Sequence, residues 1–172
     1  MELSKLKAQI KTKSPEAFYI FCGDEWKVQE IYINELSKLY DRRLYIDSIR
    51  DVYTQLKHTS FIKQRTLYIV RDDHDIMTNE KLQAQLSSLL ADNTLILLVS
   101  SVDKRTKFYK TYSESFVEFN ALERAVLKRY VQKEIKLSDK NTELLIELCE
   151  SNYGRILLEI DKIRRYADGT NV

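Results

Sequence analysis

Two pairs of carboxylates stand just after apolar runs: Asp72 and Asp73 follow Thr66–Val70 (TLYIV) after Arg71, and Asp24 and Glu25 follow Phe18–Gly23 (FYIFCG). Acids after a buried strand are where a nucleotide hydrolase holds its magnesium, and a strand–turn–helix is where it holds phosphate. A phosphate-cradling loop needs several glycines and a lysine followed by Ser or Thr, because backbone amides and the ammonium carry the contact. The turn at Gly23-Asp24-Glu25 has one glycine, two carboxylates and no such lysine. The position suits a nucleotide and the residues do not, so Asp72 and Asp73 have nothing to organise a metal against.

Other reactive groups are scattered. His58 and His74 are too isolated from each other and from both cysteines to suggest a zinc site by spacing. Cys22 and Cys149 form neither a disulfide framework nor a ligand pair, and read as buried free thiols. Ser100 and Ser101 follow the run Thr94–Val99 without a nucleophile elbow around them. No catalytic residue, cofactor or metal is assigned. Lys104, Arg105, Lys107 and Lys110, interleaved with Phe108 and Tyr109, are candidate contacts to a DNA backbone. At helical spacing the same pattern is a solvated face over inward-facing Phe108 and Tyr112. Lys128, Arg129, Tyr130 and Lys133 form a second basic face, and Arg164 and Arg165 a third.

The elements that must position these residues follow from periodicity. In 172 residues there are three glycines and one proline, so helix should dominate. Charged residues make up 31% with a net charge of +2, too little field to draw the chain to nucleic acid or membrane by itself. The N-terminus has no apolar core of signal length, and no run approaches a membrane span; the expected location is cytoplasmic. Strands are expected at Phe18–Cys22, Arg43–Asp47, Thr66–Val70, Thr94–Val99 and Ser115–Phe119. Helices are expected at Leu3–Ile10, Glu25–Tyr40, Ile49–Lys57, Asn79–Leu90 and Lys104–Tyr112. Beyond Asn120 the pattern is helical only, over Leu122–Lys133, Asp139–Glu150 and Gly154–Tyr166. Ser138 is the expected N-cap of the second of these, and Gly154 is expected in the turn before the third. The chain thus divides into an α/β domain over 1–120 and a three-helix, lid-like domain over 121–172.

Between the helix that ends near Lys57 and the strand at Thr66, Phe61 and Ile62 stand in a polar connection. They fold back under their loop or form an apolar plug for a partner, since aromatic anchors carry much of an interface's energy.

In order and spacing, FYIFCGDEWKVQE (Phe18–Glu30), LKHTSFIKQRTLYIV (Leu56–Val70) and TLILLVSSVDKRTKFYK (Thr94–Lys110) resemble the delta subunit of the bacterial DNA polymerase III clamp loader. VEFNALERAVLKRYVQK (Val117–Lys133) and LIELCESNYGRILLEIDKIRRYA (Leu145–Ala167) extend the resemblance over nearly the whole chain. It implies an AAA+-like parallel five-stranded sheet flanked by helices, with the ATP site lost, then a small three-helix domain. It also implies a non-catalytic subunit of the polymerase holoenzyme that binds the sliding clamp (the beta subunit) and helps to open it during DNA replication. The clamp-binding tip of the family maps onto Thr59, Ser60, Phe61 and Ile62, with Leu56 and Tyr53 in support. Where the family often has leucine then phenylalanine, this chain has Ser60 then Phe61. The family's phosphate-sensing arginine position falls on Leu157 in Gly154-Arg155-Ile156-Leu157, with Arg155 offset. A third, helical collar domain joins such subunits to the other loader subunits. The sequence ends at Val172 before any such domain, which is read as a fragment or a shortened relative. The alternatives are an AAA+-type ATP-binding protein with a degenerate phosphate loop, and a DNA-binding module working through the basic helices.

Overall fold

The computed structural model describes residues 1–58, 64–90 and 92–169. Five strands form one parallel sheet in the order β2-β3-β4-β1-β5: β1 Phe18–Cys22, β2 Arg42–Ile46, β3 Thr66–Arg71, β4 Thr94–Val99 and β5 Phe116–Glu118. Between them run α1 Leu3–Thr12, α2 Trp26–Ser37, α3 Ile49–His58, the single turn α4 Asp75–Thr78, α5 Glu80–Leu90 and α6 Lys107–Thr111. Three helices follow: α7 Arg124–Glu134, α8 Asp139–Leu148 and α9 Tyr153–Gly169.

The chain forms two compact units. One comprises Met1–Gly23 and Ile31–Glu118; the other comprises Asp24–Glu30 and the residues from Phe119 on. The first five residues of α2 therefore belong with the three-helix unit.

In the sheet unit, β4 is buried at all six positions and β1 at four of five, as strands covered on both faces must be. Alternate residues supply one core: Phe18 and Ile20, Tyr68 and Val70, Leu95, Leu97 and Val99 pack with Ile49, Val52, Ile76, Leu90 and Phe108. The intervening residues face the other way, where the Tyr19 hydroxyl donates to Gln9 Oε1 in α1 at 3.0 Å and accepts from the Glu16 amide at 2.8 Å. Burial of this ring pushes its phenol well above the usual tyrosine range. β2 is one of the two edge strands, with Arg42, Arg43 and Tyr45 exposed. Its short length and two arginines blunt that edge.

The helical unit closes around Leu127, Val131, Leu145, Ile146, Cys149, Ile156 and Ile160. Ser138 caps α8 as expected, its hydroxyl accepting from the Asn141 amide at 3.2 Å. The turn into α9 is made differently from the expectation. Glu150 and Ser151 adopt left-handed backbone (φ 53° and 56°), while Gly154 is the second residue of the helix. Glycine is needed there for space: a Cβ would lie 2.9 Å from Trp26 Cζ2 and 3.0 Å from Trp26 Cε2. Of the two cysteines, Cys149 is buried, and burial holds its thiol above the ordinary range. Cys22, expected buried, is only half-buried at the end of β1. No helix among the described residues is long and apolar enough to cross a membrane.

Candidate functional site

Two locations compete for function: the carboxyl ends of β1 and β3, where parallel α/β sheets hold ligands, and the connection between α3 and β3.

At the end of β1, Gly23 takes φ 123°, a conformation only glycine holds cheaply, and its amide donates to Val99 O at 3.2 Å. The Glu25 amide donates to Phe119 O at 3.3 Å and the Trp26 amide to Asp24 O at 2.9 Å. Amides that a phosphate loop turns toward its ligand are here consumed by the chain. Glu25 itself is 3% exposed. Its Oε1 accepts from the Tyr153 amide, the first of α9, at 3.4 Å, and Oε2 has no hydrogen-bond partner among the described residues. Burial raises its pKa, partly offset by the amides of Tyr153 and Leu122 and reinforced by Asp24. A carboxyl group supplied by the protein thus already occupies the start of α9. Nothing in the local sequence pattern announced that Glu25 would be buried against a residue 128 positions away.

The acids after β3 are structural. Asp72 takes left-handed backbone (φ 51°) and its amide is bound to Leu98 O at 2.9 Å. Asp73 Oδ2 accepts from the Ile49 amide at 2.6 Å, capping α3, and Oδ1 accepts from the Asp75 amide at 2.8 Å, opening α4. Asp75 in turn receives Arg50 Nε at 2.7 Å. No group of three or more His, Cys, Asp or Glu among the described residues could hold a metal ion. Arg155, near the expected phosphate-sensing position, is paired with Glu150 at 2.9 Å.

Thr59, Ser60, Phe61 and Ile62 lie outside the described residues. Both of their flanks are within them and are tightly held. On the α3 side, the Asp73 cap and the Arg50–Asp75 pair hold the first turn, and the Tyr53 hydroxyl donates to Leu82 O in α5. Tyr53 is buried, its phenol pushed up to about 12 by desolvation, and Leu56 packs half-buried on the same core. These two expected site residues thus face inward beneath α3. On the β3 side, the Arg65 amide donates to Asp41 Oδ2 at 2.9 Å and the Thr66 amide to Asn93 Oδ1 at 2.8 Å. The Asp41 amide returns a bond to Arg65 O at 2.9 Å. The described parts of α3 and β3 on either side of Phe61 and Ile62 are thus held by side-chain and backbone hydrogen bonds.

The candidate DNA contacts are largely neutralised. Lys104 pairs with Glu118 at 2.5 Å, Arg105 with Asp103 at 2.9 Å and Lys107 with Glu80 at 2.7 Å. Lys110 is exposed without an ion pair among the described residues. Phe108 is buried and stacks near Tyr112 with centroids 5.1 Å apart, so the aromatics of this segment serve the core.

No family model and no curated protein sequence matches the chain. Among solved structures, the Bacillus subtilis DNA clamp loader delta protein (YqeN) superposes with a TM-score of 0.63 over 95% of this chain, at 14% identity. The fold is that of a clamp-loader delta protein. The chain spans 57% of that protein's length. The five-stranded parallel sheet flanked by helices agrees with the AAA+-like architecture implied by the resemblance. At this identity the likeness is one of fold, and it leaves the roles of individual side chains to be argued from their chemistry.

Proposed function

We propose that this chain is a non-catalytic, delta-type subunit of a clamp loader that binds the DNA polymerase sliding clamp and helps to open it during DNA replication. The observation that carries the reading is the shared fold over 95% of the chain, combined with an apolar pair, Phe61-Ile62, between two anchored elements. Phe61 is the principal anchor, with Ile62, Ser60 and Thr59 beside it; Tyr53 and Leu56 act from within, stiffening α3. Stiff flanks suit a mechanical task, because flanking elements that are already ordered spend little binding energy on ordering themselves. A loop that binds the open ring more tightly than the closed ring shifts the ring toward opening by that difference in affinity. The protein works in the cytoplasm, and other loader subunits are its further partners. Lys104, Arg105, Lys107 and Lys110 are a weaker ground for DNA contact, since three of them already hold carboxylates. An ATP-binding role is disfavoured by the turn after β1, whose Gly23, Glu25 and Trp26 amides are taken and whose carboxyl, Glu25, is buried.

Replacing Phe61 with Ala tests the assignment. Loss of an aromatic anchor costs about 2 kcal/mol, roughly a thirtyfold weakening of clamp affinity by titration calorimetry. An unchanged dissociation constant would remove Phe61 from the site.

A further inference from the structure

The two edges of the sheet are finished differently. At β5, Met1 N donates to Phe116 O and α1 packs alongside the strand, so the chain itself covers that edge. At β2 the strand order leaves one side without a neighbour among the described residues. The Arg42 amide donates to Arg65 O at 3.3 Å, and β2 runs parallel to β3 with Arg42 opposite Thr66 and Ile46 opposite Val70. Backbone groups alternate sides along a strand, so Arg42, Leu44 and Ile46 bond toward β3 while the N–H and C=O of Arg43 and Tyr45 face outward. Two donors and two acceptors therefore stand ready for a further strand.

The side chains along this edge are sorted by charge. Arg42 and Arg43, at its amino end, are exposed and have no ion pair among the described residues. Asp47, also exposed, stands just past its carboxyl end. Arg43 is held in place: its Nη1 donates to Asn34 Oδ1 of α2 at 2.5 Å, and its guanidinium lies over the Tyr45 ring, 5.6 Å from the centroid. Tyr45 is 62% exposed, while Leu44 and Ile46 are half-buried against the sheet core. The fold gains little burial from so exposed a ring, whereas tyrosine and arginine are the side chains that interfaces favour.

We infer that the outer edge of β2 is a docking site for an extended segment of a partner protein, which joins the sheet as a sixth strand with its acidic end on Arg42 and Arg43. The arginines that blunt this edge against indiscriminate pairing select an acidic occupant. Antiparallel addition is the more stable arrangement per residue. It sets the carboxyl end of the segment, where the acids lie, against the amino end of β2, and a basic residue against Asp47. Residues directly opposite one another share a face of the sheet, so β-branched residues opposite Leu44 and Ile46 extend the apolar surface beneath them. The inference does not rest on the proposed clamp contact, and its failure would leave that reading untouched.

The probe is a fluorescein-labelled peptide, KVTVEE, whose antiparallel pairing sets its lysine opposite Asp47, Val-Thr-Val opposite Ile46, Tyr45 and Leu44, and the two acids opposite Arg43 and Arg42. Anisotropy titration with the full chain should saturate, and the charge-reversed peptide EVTVKK should bind about tenfold more weakly. In R42E/R43E the order of the two peptides should reverse. In K7E/K11E, which reverses the same charge on exposed lysines of α1, it should not. Methylating the peptide amides of the threonine and the first glutamate, which meet the outward groups of Tyr45 and Arg43, should abolish binding. Methylating the two valine amides, which face solvent, should leave it within about threefold. Equal binding of the two peptides, equal loss from either methylation, or no saturation up to about 1 mM peptide would overturn the inference. So would sedimentation of the chain alone as a dimer that R42E/R43E disperses, since a second copy would then hold the edge. Circular dichroism melting checks that each variant folds; should R42E/R43E not fold, the methylated peptides still decide the question with the natural chain.

Discussion

Gly154→Ala makes two opposing effects compete at one position. Gly154 is the second residue of α9, where exchanging glycine for alanine ordinarily stabilises a helix by about 0.5–1 kcal/mol. Here the added Cβ would stand 2.9 and 3.0 Å from two atoms of the Trp26 indole and 3.3 Å from Asn152 Oδ1. That Asn152 oxygen also caps the Arg155 amide at 2.9 Å, so it is not free to retreat without loss. Overpacking of this kind costs about 1–3 kcal/mol, which outweighs the propensity gain. The net expectation is a destabilisation of about 1 kcal/mol. In a Trp26→Ala background the clash with the indole is absent and only the milder 3.3 Å approach to Asn152 Oδ1 remains, so the same exchange should stabilise by up to about 0.5–1 kcal/mol. The sign reversal gives a coupling of about 1.5–2 kcal/mol, well outside additive behaviour. Urea unfolding followed by far-ultraviolet circular dichroism measures all four corners of the cycle, since Trp26 is the chain's single tryptophan. Trp26 is 44% exposed, so a ring pushed outward in Gly154→Ala should also shift its fluorescence to the red. A stabilising Gly154→Ala in both backgrounds would refute the steric account.

Glu25 and Asp73 give two further expectations. The Glu25 carboxyl is held above its ordinary value of 4.5 by burial, so the folded state binds its proton more tightly than the unfolded state. Stability should therefore fall as pH rises from about 4.5 through the raised folded value, and level off above it. Glu25→Gln removes this dependence, so its stability relative to the natural chain should grow over the same window. Urea midpoints at a series of pH values measure the difference, and a difference flat in pH would contradict the buried ionisable role. Asp73→Ala removes caps from both α3 and α4 and should cost about 2 kcal/mol, with Asp73→Asn intermediate because one acceptor survives. Equal stability of Asp73→Ala and the natural chain would return these acids to the solvated-turn reading.

The legible parts of this fold were those set by local pattern. Thr94–Val99 and Phe18–Cys22 are unbroken apolar runs because both faces of the inner strands are covered, and Ser138 announces α8 because its capping bond is local. Strand order was not legible, since β1 lies between β4 and β5 only through long crossovers. The same limit hid the character of individual charges. Lys104, Arg105 and Lys107 look like a free basic segment until Glu118, Asp103 and Glu80 are seen beside them. Asp73 looks like a loose turn residue, yet it caps a helix 24 positions earlier in the chain. Gly154 looks like a turn glycine because its reason, the Trp26 indole, is 128 residues away. Of the candidate clamp site, the apolar pair Phe61-Ile62 was visible as an anomaly of pattern, while the anchoring of its flanks through Asp73, Leu82, Asp41 and Asn93 was visible only in the structure.

The central claim is a contact with the sliding clamp, and titrating the full chain into the clamp of the same organism tests it most directly. The account predicts saturable binding, competed by an isolated peptide carrying residues 57–64 and proceeding equally with and without ATP and magnesium. Absence of binding at clamp concentrations of about 100 μM, where even a weak specific contact of about −5 kcal/mol would register, would contradict it.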